Sequence, residues 1–105
     1  VIASWANKKE KDTPFIYSPS LSEGFPSRER ILTLYDEKSK LNLDDIEFYI
    51  RLSFWKHAMI MEGVYVRYSL GYYGNVDKKE VEAFGESTLS FAQKASAKNL
   101  LKEIF

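Results

Sequence analysis

The chain has 105 residues, with 15 Lys or Arg set against 15 Asp or Glu, one histidine and no cysteine. That length limits it to one small domain, and the absence of cysteine excludes a disulfide scaffold, a thiol nucleophile and any thiolate zinc site. Zero net charge argues against the basic face that nucleic acid or an anionic membrane requires, so neither is expected as a partner.

Val1-Ile2-Ala3-Ser4-Trp5-Ala6 is short and apolar, and the polar run Asn7 to Asp12 follows. Residues 1–12 read as the end of a helix and a turn, with a strand end as the alternative. Lys8-Lys9-Glu10-Lys11 reads as a solvated turn. Residues 13–26 hold all three prolines, Pro14, Pro19 and Pro26, which excludes regular helix. They also carry Phe15, Ile16, Tyr17, Leu21 and Phe25, too many large apolar groups for a solvated linker. An ordered, extended strap with buried aromatics is expected.

Residues 27–105 read as helices. Pro26 or Ser27 can open the first of them, with Glu29 at the positive end of its dipole. Its apolar stripe is Ile31, Leu32, Leu34 and Tyr35, leaving Arg28 outside, and Asn42 is a plausible stop. A second helix from about Asp45 to Leu70 follows, with Asp44 and Glu47 spaced as a capping box. Phe48, Tyr49, Ile50, Phe54, Trp55, Ile60, Val64 and Val66 point in every direction round it, the mark of a helix enclosed by partners. Gly71 ends it, at a position that tolerates left-handed φ. Asp77 caps a last helix running to about Ile104, with the stripe Val81, Phe84, Thr88, Phe91, Ala92 and Ala95. The expected fold class is all-α: three main helices preceded by the strap.

No run of 18 uncharged apolar residues occurs, because Arg51, Lys56, His57, Glu62 and Arg67 interrupt 46–70. With no signal-peptide pattern, a cytoplasmic setting is the expectation. There is no glycine-rich phosphate loop, no Gly-x-Ser-x-Gly elbow, no His-Glu-x-x-His and no calcium loop. The chain itself is therefore expected to hold no metal, no cofactor and no catalytic group. The polar residues of the second helix fall on two stripes, Arg51, Trp55, Ala58 and Glu62 on one, and Tyr49, Lys56, Ile60, Gly63 and Arg67 roughly opposite. A buried ion must be paired, because an unpaired one costs several kcal/mol. So Glu62 and Arg67 either bond to neighbouring helices or the strap, or face a cleft. His57 reads as a satisfied core or rim side chain, ahead of a catalytic base, and Glu80, Glu82 and Glu86 as surface, ahead of facing a cationic substrate.

An ordered set of segments carries a resemblance. Gly24-Phe25-Pro26-Ser27-Arg28 is followed by Leu34-Tyr35, by Leu43-Asp44-Asp45-Ile46-Glu47-Phe48-Tyr49, and by Phe54 to Tyr68 with its Glu62-Gly63-Val64-Tyr65-Val66-Arg67. Together they resemble the C-terminal helical subdomain of aminoglycoside-phosphotransferase-like kinases of the choline kinase type. The nearest branch is the one also found fused to acyl-CoA dehydrogenases. The likeness covers about residues 24–71, and Val1 to Trp5 would be the helix after the family's metal-binding segment. His57, where the family has an apolar residue, and a short loop after Tyr73 depart from the pattern.

The resemblance implies a parent protein that transfers the γ-phosphoryl of ATP to a small-molecule hydroxyl, with ATP and magnesium as its cofactors. The family's His-Gly-Asp loop and its magnesium aspartate would precede Val1, which then reads as the cut edge of a longer enzyme. Phosphoryl transfer depends almost wholly on such groups and the metal. The present chain alone is accordingly expected to be inactive. It would wall the substrate side of the cleft, with Trp55, Glu62 and Arg67 as the residues touching substrate. A self-contained helical interaction module, forming homo-oligomers through exposed aromatic helix faces, is the alternative.

Overall fold

The computed structural model describes residues 1–7, 9, 10 and 18–105. Lys8, Lys11 and the strap positions 13–17, including Pro14, Phe15, Ile16 and Tyr17, lie outside the described residues. The described chain is all-α: 3₁₀ turns at Ile2–Ser4 and Pro19–Leu21 precede helices α1 (Arg28–Lys38), α2 (Ile46–Ser69), α3 (Lys78–Ser96) and α4 (Leu100–Ile104). None of these helices is long and apolar enough to cross a membrane.

Local chemistry explains the helix ends. The Ser27 hydroxyl accepts from the Arg30 N–H at 3.2 Å and opens α1, satisfying one of the donors that a helix start leaves free. Ser27→Ala should cost about 0.5–2 kcal/mol, read as a lower urea midpoint and fraying of the first turn of α1 in NMR shifts. The helix closes at Ser39, whose N–H reaches Tyr35 O at 2.8 Å, three residues short of the expected stop at Asn42.

At α2 the expected capping box does not form. Asp45 is the N-cap and makes no side-chain cap bond. Glu47 Oε1 instead accepts from Arg51 Nη2 at 2.7 Å and Nε at 3.2 Å, and Arg51 Nη1 donates to Ala95 O at 3.1 Å. A two-pronged guanidinium bond one turn ahead outcompetes a reach back to a single N–H. The helix ends as expected, with Gly71 at φ +79° and the Tyr72 N–H on Arg67 O at 3.1 Å.

Asp77 caps α3 through the Lys79 N–H at 3.1 Å. The long last helix, however, is two. Ala97 is extended, with φ −62° and ψ 136°, and α4 starts only at Leu100. That break turns the chain back on itself, so that Leu100 and Ile104 are fully buried. A continuous rod would carry both away from the core, and the apolar area they bury supplies the reason for the turn.

The core lies on one side of α2, where Ile50, Phe54 and Ala58 meet Phe91 of α3, Leu100 and Ile104 of α4, and Ala3 and Ala6. The Phe54 and Phe91 rings sit 6.2 Å apart at 34°. Further along, Gly85 lets α3 approach closely, since a Cβ there would lie 3.2 Å from the Tyr65 ring. At 24 residues α2 is about 36 Å long, which accounts for the extents of 48 × 29 × 23 Å.

Several sequence expectations need correction. Between Val1 and Ala6 the chain makes a single 3₁₀ turn, Ile2–Ser4, and not the last turns of an α-helix. Phe25, expected buried in the strap, is 44% exposed and packs on Trp5 with the rings tilted, at 5.8 Å and 55°. The Trp5 indole in turn donates to Pro26 O at 2.8 Å. Of the supposed solvated turn, Glu10 is buried. Arg28, expected on the outer side of α1, has no exposed surface at all. The two meet: Arg28 Nη1 lies 2.6 Å from Glu10 Oε2, and Lys94 Nζ lies 3.1 Å from Glu10 Oε1. Charge that sequence pattern assigns to solvent is thus folded inside, where mutual pairing offsets its desolvation.

Candidate functional site

Helix α2 carries the three residues singled out by sequence. It was expected to be enclosed on all sides, and it is covered on one. The opposite side exposes Phe48, Tyr49, Trp55, Met59, Ile60 and Val66. At about 100° per residue, Phe48, Leu52, Trp55, Met59 and Val66 fall within one stripe about 60° wide. The inner stripe holding Ile50, Phe54 and Ala58 is centred about 120° round the helix from it.

The structure divides the first expected polar stripe. Ala58 is buried in the core and Arg51 is held by Glu47 and Ala95 O. Trp55 and Glu62 remain outside. Seven residues apart, these two stand about 20° from each other and two turns apart along the helix. Trp55 is 54% exposed, and among the described residues Glu62 makes no ion pair.

Arg67 sits on the other flank, about 140° round from Glu62, so the three residues border one uncovered face without touching. Its Nε donates to Tyr73 Oη at 2.9 Å. A Cβ at position 63 would lie 3.3 Å from Arg67 Nη1. Glycine at 63 therefore leaves room for the guanidinium to fold along the helix. Tyr73 packs on Tyr68 at 4.6 Å, and Tyr68 stacks on Phe84 at 4.9 Å and 21°. This aromatic ladder ties Arg67 to α3 through Tyr73. Among the described residues neither Glu62 nor Arg67 bonds directly to a neighbouring helix or to the strap.

His57 takes the satisfied role expected of it. Nδ1 lies 2.6 Å from Ser53 O one turn back, and the ring packs 5.2 Å from Phe91. Glu80, Glu82 and Glu86 are exposed along α3, as expected.

Chemically, the face combines an indole, a carboxylate and a guanidinium around an apolar strip. Such a set can stack on, accept from and donate to a bound molecule, which is recognition chemistry. Sequence reasoning missed the Glu10–Arg28–Lys94 cluster altogether. Its only local signal was Arg28 closing the Gly-Phe-Pro-Ser-Arg run, and nothing in periodicity marks Glu10. No family model, curated protein or solved structure matches the chain.

Proposed function

We propose that the chain is the substrate-side helical portion of an ATP-dependent phosphotransferase acting on a small-molecule hydroxyl. The order and spacing of the segments between Gly24 and Tyr68 support this reading. The observation that carries it is the uncovered face of α2, where Trp55, Glu62 and Arg67 stand outside while the opposite side of the same helix is packed. In this role Trp55 stacks on the substrate's apolar surface. The Glu62 carboxylate accepts from a hydroxyl or an amine, and Arg67, held by Tyr73, donates to an acceptor at the far flank. The ATP and magnesium sites belong to the upstream part of such a parent, as does the chemistry.

Two measurements test the proposal. Titrating Mg-ATP into the 105-residue chain should give no saturable binding, and saturable binding would count against it. In a parent protein carrying the His-Gly-Asp loop, Glu62→Gln and Arg67→Met should each raise KM about tenfold with kcat little changed, the signature of lost substrate binding. A fall in kcat at constant KM would remove these residues from the substrate side.

The exposed stripe Phe48, Trp55, Met59 and Val66 favours a second reading, a helical module that associates with further copies of itself. An apolar strip of this kind on one helix face is a common site of association. Sedimentation over a hundredfold concentration range decides it. Self-association abolished by Met59→Lys supports the module, and a monomer throughout rejects it.

A further inference from the structure

Independently of the phosphotransferase reading, we infer that the N-terminal segment and α4 form a clasp that opens as one unit while α2 and α3 stay paired. Side chains of the N-terminal segment donate to the carbonyls of α4, and Arg28 of α1 bridges the two segments. Arg28 Nε donates to Ile2 O at 2.8 Å, and its Nη1 to Ile104 O at 2.9 Å. Asn7 Nδ2 donates to the same Ile104 oxygen at 3.1 Å, while the Asn7 N–H donates to Glu10 Oε2 at 3.0 Å. Lys9 Nζ reaches Lys102 O at 3.3 Å and also bonds to Phe105 O. The free carbonyls at the end of α4 are thus satisfied by side chains from the other end of the sequence, as helix C-termini require.

Apolar packing follows the same division. Ala3, Ala6, Leu100 and Ile104 are each buried and belong to one cluster with Phe54. If α4 leaves, Asn7, Lys9 and Arg28 lose acceptors and the alanines lose their cover. If the N-terminal segment leaves, Arg28 and Lys94 lose Glu10 and the α4 carbonyls lose their donors. Departure of either half takes bonds from the other and from Arg28 of α1, which is fully buried between them, and that shared loss is what makes the opening cooperative. The far half of the α2–α3 pair has its own contacts, Tyr65 on Gly85 and Tyr68 on Phe84. These contacts involve no clasp residue. Opening would uncover Ile50, Phe54 and Ala58 on the inner side of α2.

Native-state hydrogen exchange of the full chain in low urea tests the clasp. The probes are the Glu10, Glu103 and Phe105 amides, bonded to Asn7 O, Asn99 O and Leu101 O at 2.8, 3.1 and 3.1 Å. They should merge onto a single urea isotherm, below that of the Tyr65, Tyr68 and Phe84 amides. Leu100→Val, made on the α4 side, should speed Glu10 exchange by the same factor as Glu103, about tenfold. Asn7→Ala, made on the other side, should speed Glu103 likewise, with the Phe84 amide unchanged in both variants. Acceleration confined to the mutated half overturns the clasp. So does an equal acceleration at Phe84, which would mean that the whole chain opens together.

Discussion

Glu10→Gln is expected to destabilise the chain by about 3–5 kcal/mol, the usual cost of removing one partner from a buried ion pair. The substitution keeps the shape but removes the charge and turns one of two accepting oxygens into an NH2 that faces a donor, Lys94 on one side or Arg28 and the Asn7 N–H on the other, so the loss reports charge together with one acceptor. Arg28 would stay fully buried with the carbonyls of Ile2 and Ile104 on it and would lose the Glu10 carboxylate 2.6 Å from its Nη1. For a small domain holding about 5–15 kcal/mol in total, such a loss consumes a third or more of the stability. Urea unfolding measures it as a lower midpoint at unchanged slope. If the single variant does not fold, the triple replacement Glu10→Leu, Arg28→Met and Lys94→Met gives the second measurement. Exchanging a whole buried ionic group for apolar side chains of similar size is often neutral or stabilising, so the triple variant should be far more stable than Glu10→Gln. Equal instability of the two would show that packing at these positions, and not charge pairing, is what matters. The exposed pair provides the contrast. Glu47 and Arg51 are 44% and 28% exposed, and Glu47→Ala should cost no more than about 1 kcal/mol.

Phe54→Ala should cost about 3–5 kcal/mol, while Trp55→Ala, one residue along, should change stability by about 0.5 kcal/mol or less. Phe54 has no exposed surface and packs on Phe91 beside Leu100 and Ile104. Truncating it leaves a cavity where three helices meet. Trp55 points away from that core and is 54% exposed. Thermal or urea unfolding of the two variants side by side checks the contrast. A large loss from Trp55→Ala, in a chain shown to be monomeric, would mean that the outer face of α2 is packed after all. In a self-associating chain the same loss would fall as the protein is diluted.

These paired expectations show where sequence pattern runs out. Along α2 almost every turn carries large apolar residues on all sides, so periodicity identifies a helix and says nothing about which side is inward. Enclosure was the natural reading, and the described fold covers only the side of Ile50, Phe54 and Ala58. The same ambiguity affects the polar residues. Arg51, Ala58 and Glu62 share a stripe by spacing, yet one bonds to Glu47, one is buried and one stands outside. Trp55, Glu62 and Arg67 were legible as candidates because charged and aromatic groups on an apolar helix need an explanation. Their actual surroundings depend on Tyr73, Gly63 and the position of α3.

By itself the sequence determined the class of fold, the presence of three helical segments and several of their ends. Ser27, Gly71 and Asp77 act through their own turns of backbone, and such local bonds need no knowledge of the rest of the chain. Tertiary structure alone decided the break at Ala97, the burial of Arg28 and Glu10, and the clasp that joins Asn7 and Lys9 to α4. Each of these joins residues more than 75 positions apart or trades a straight helix for distant apolar burial. The energies involved arise only when remote groups are brought together and water is excluded. Neutral net charge, at the level of composition, argued only against a basic face and said nothing of where the charges lie. Among the described residues part of that balance lies inside, where Glu10 is held between Arg28 and Lys94.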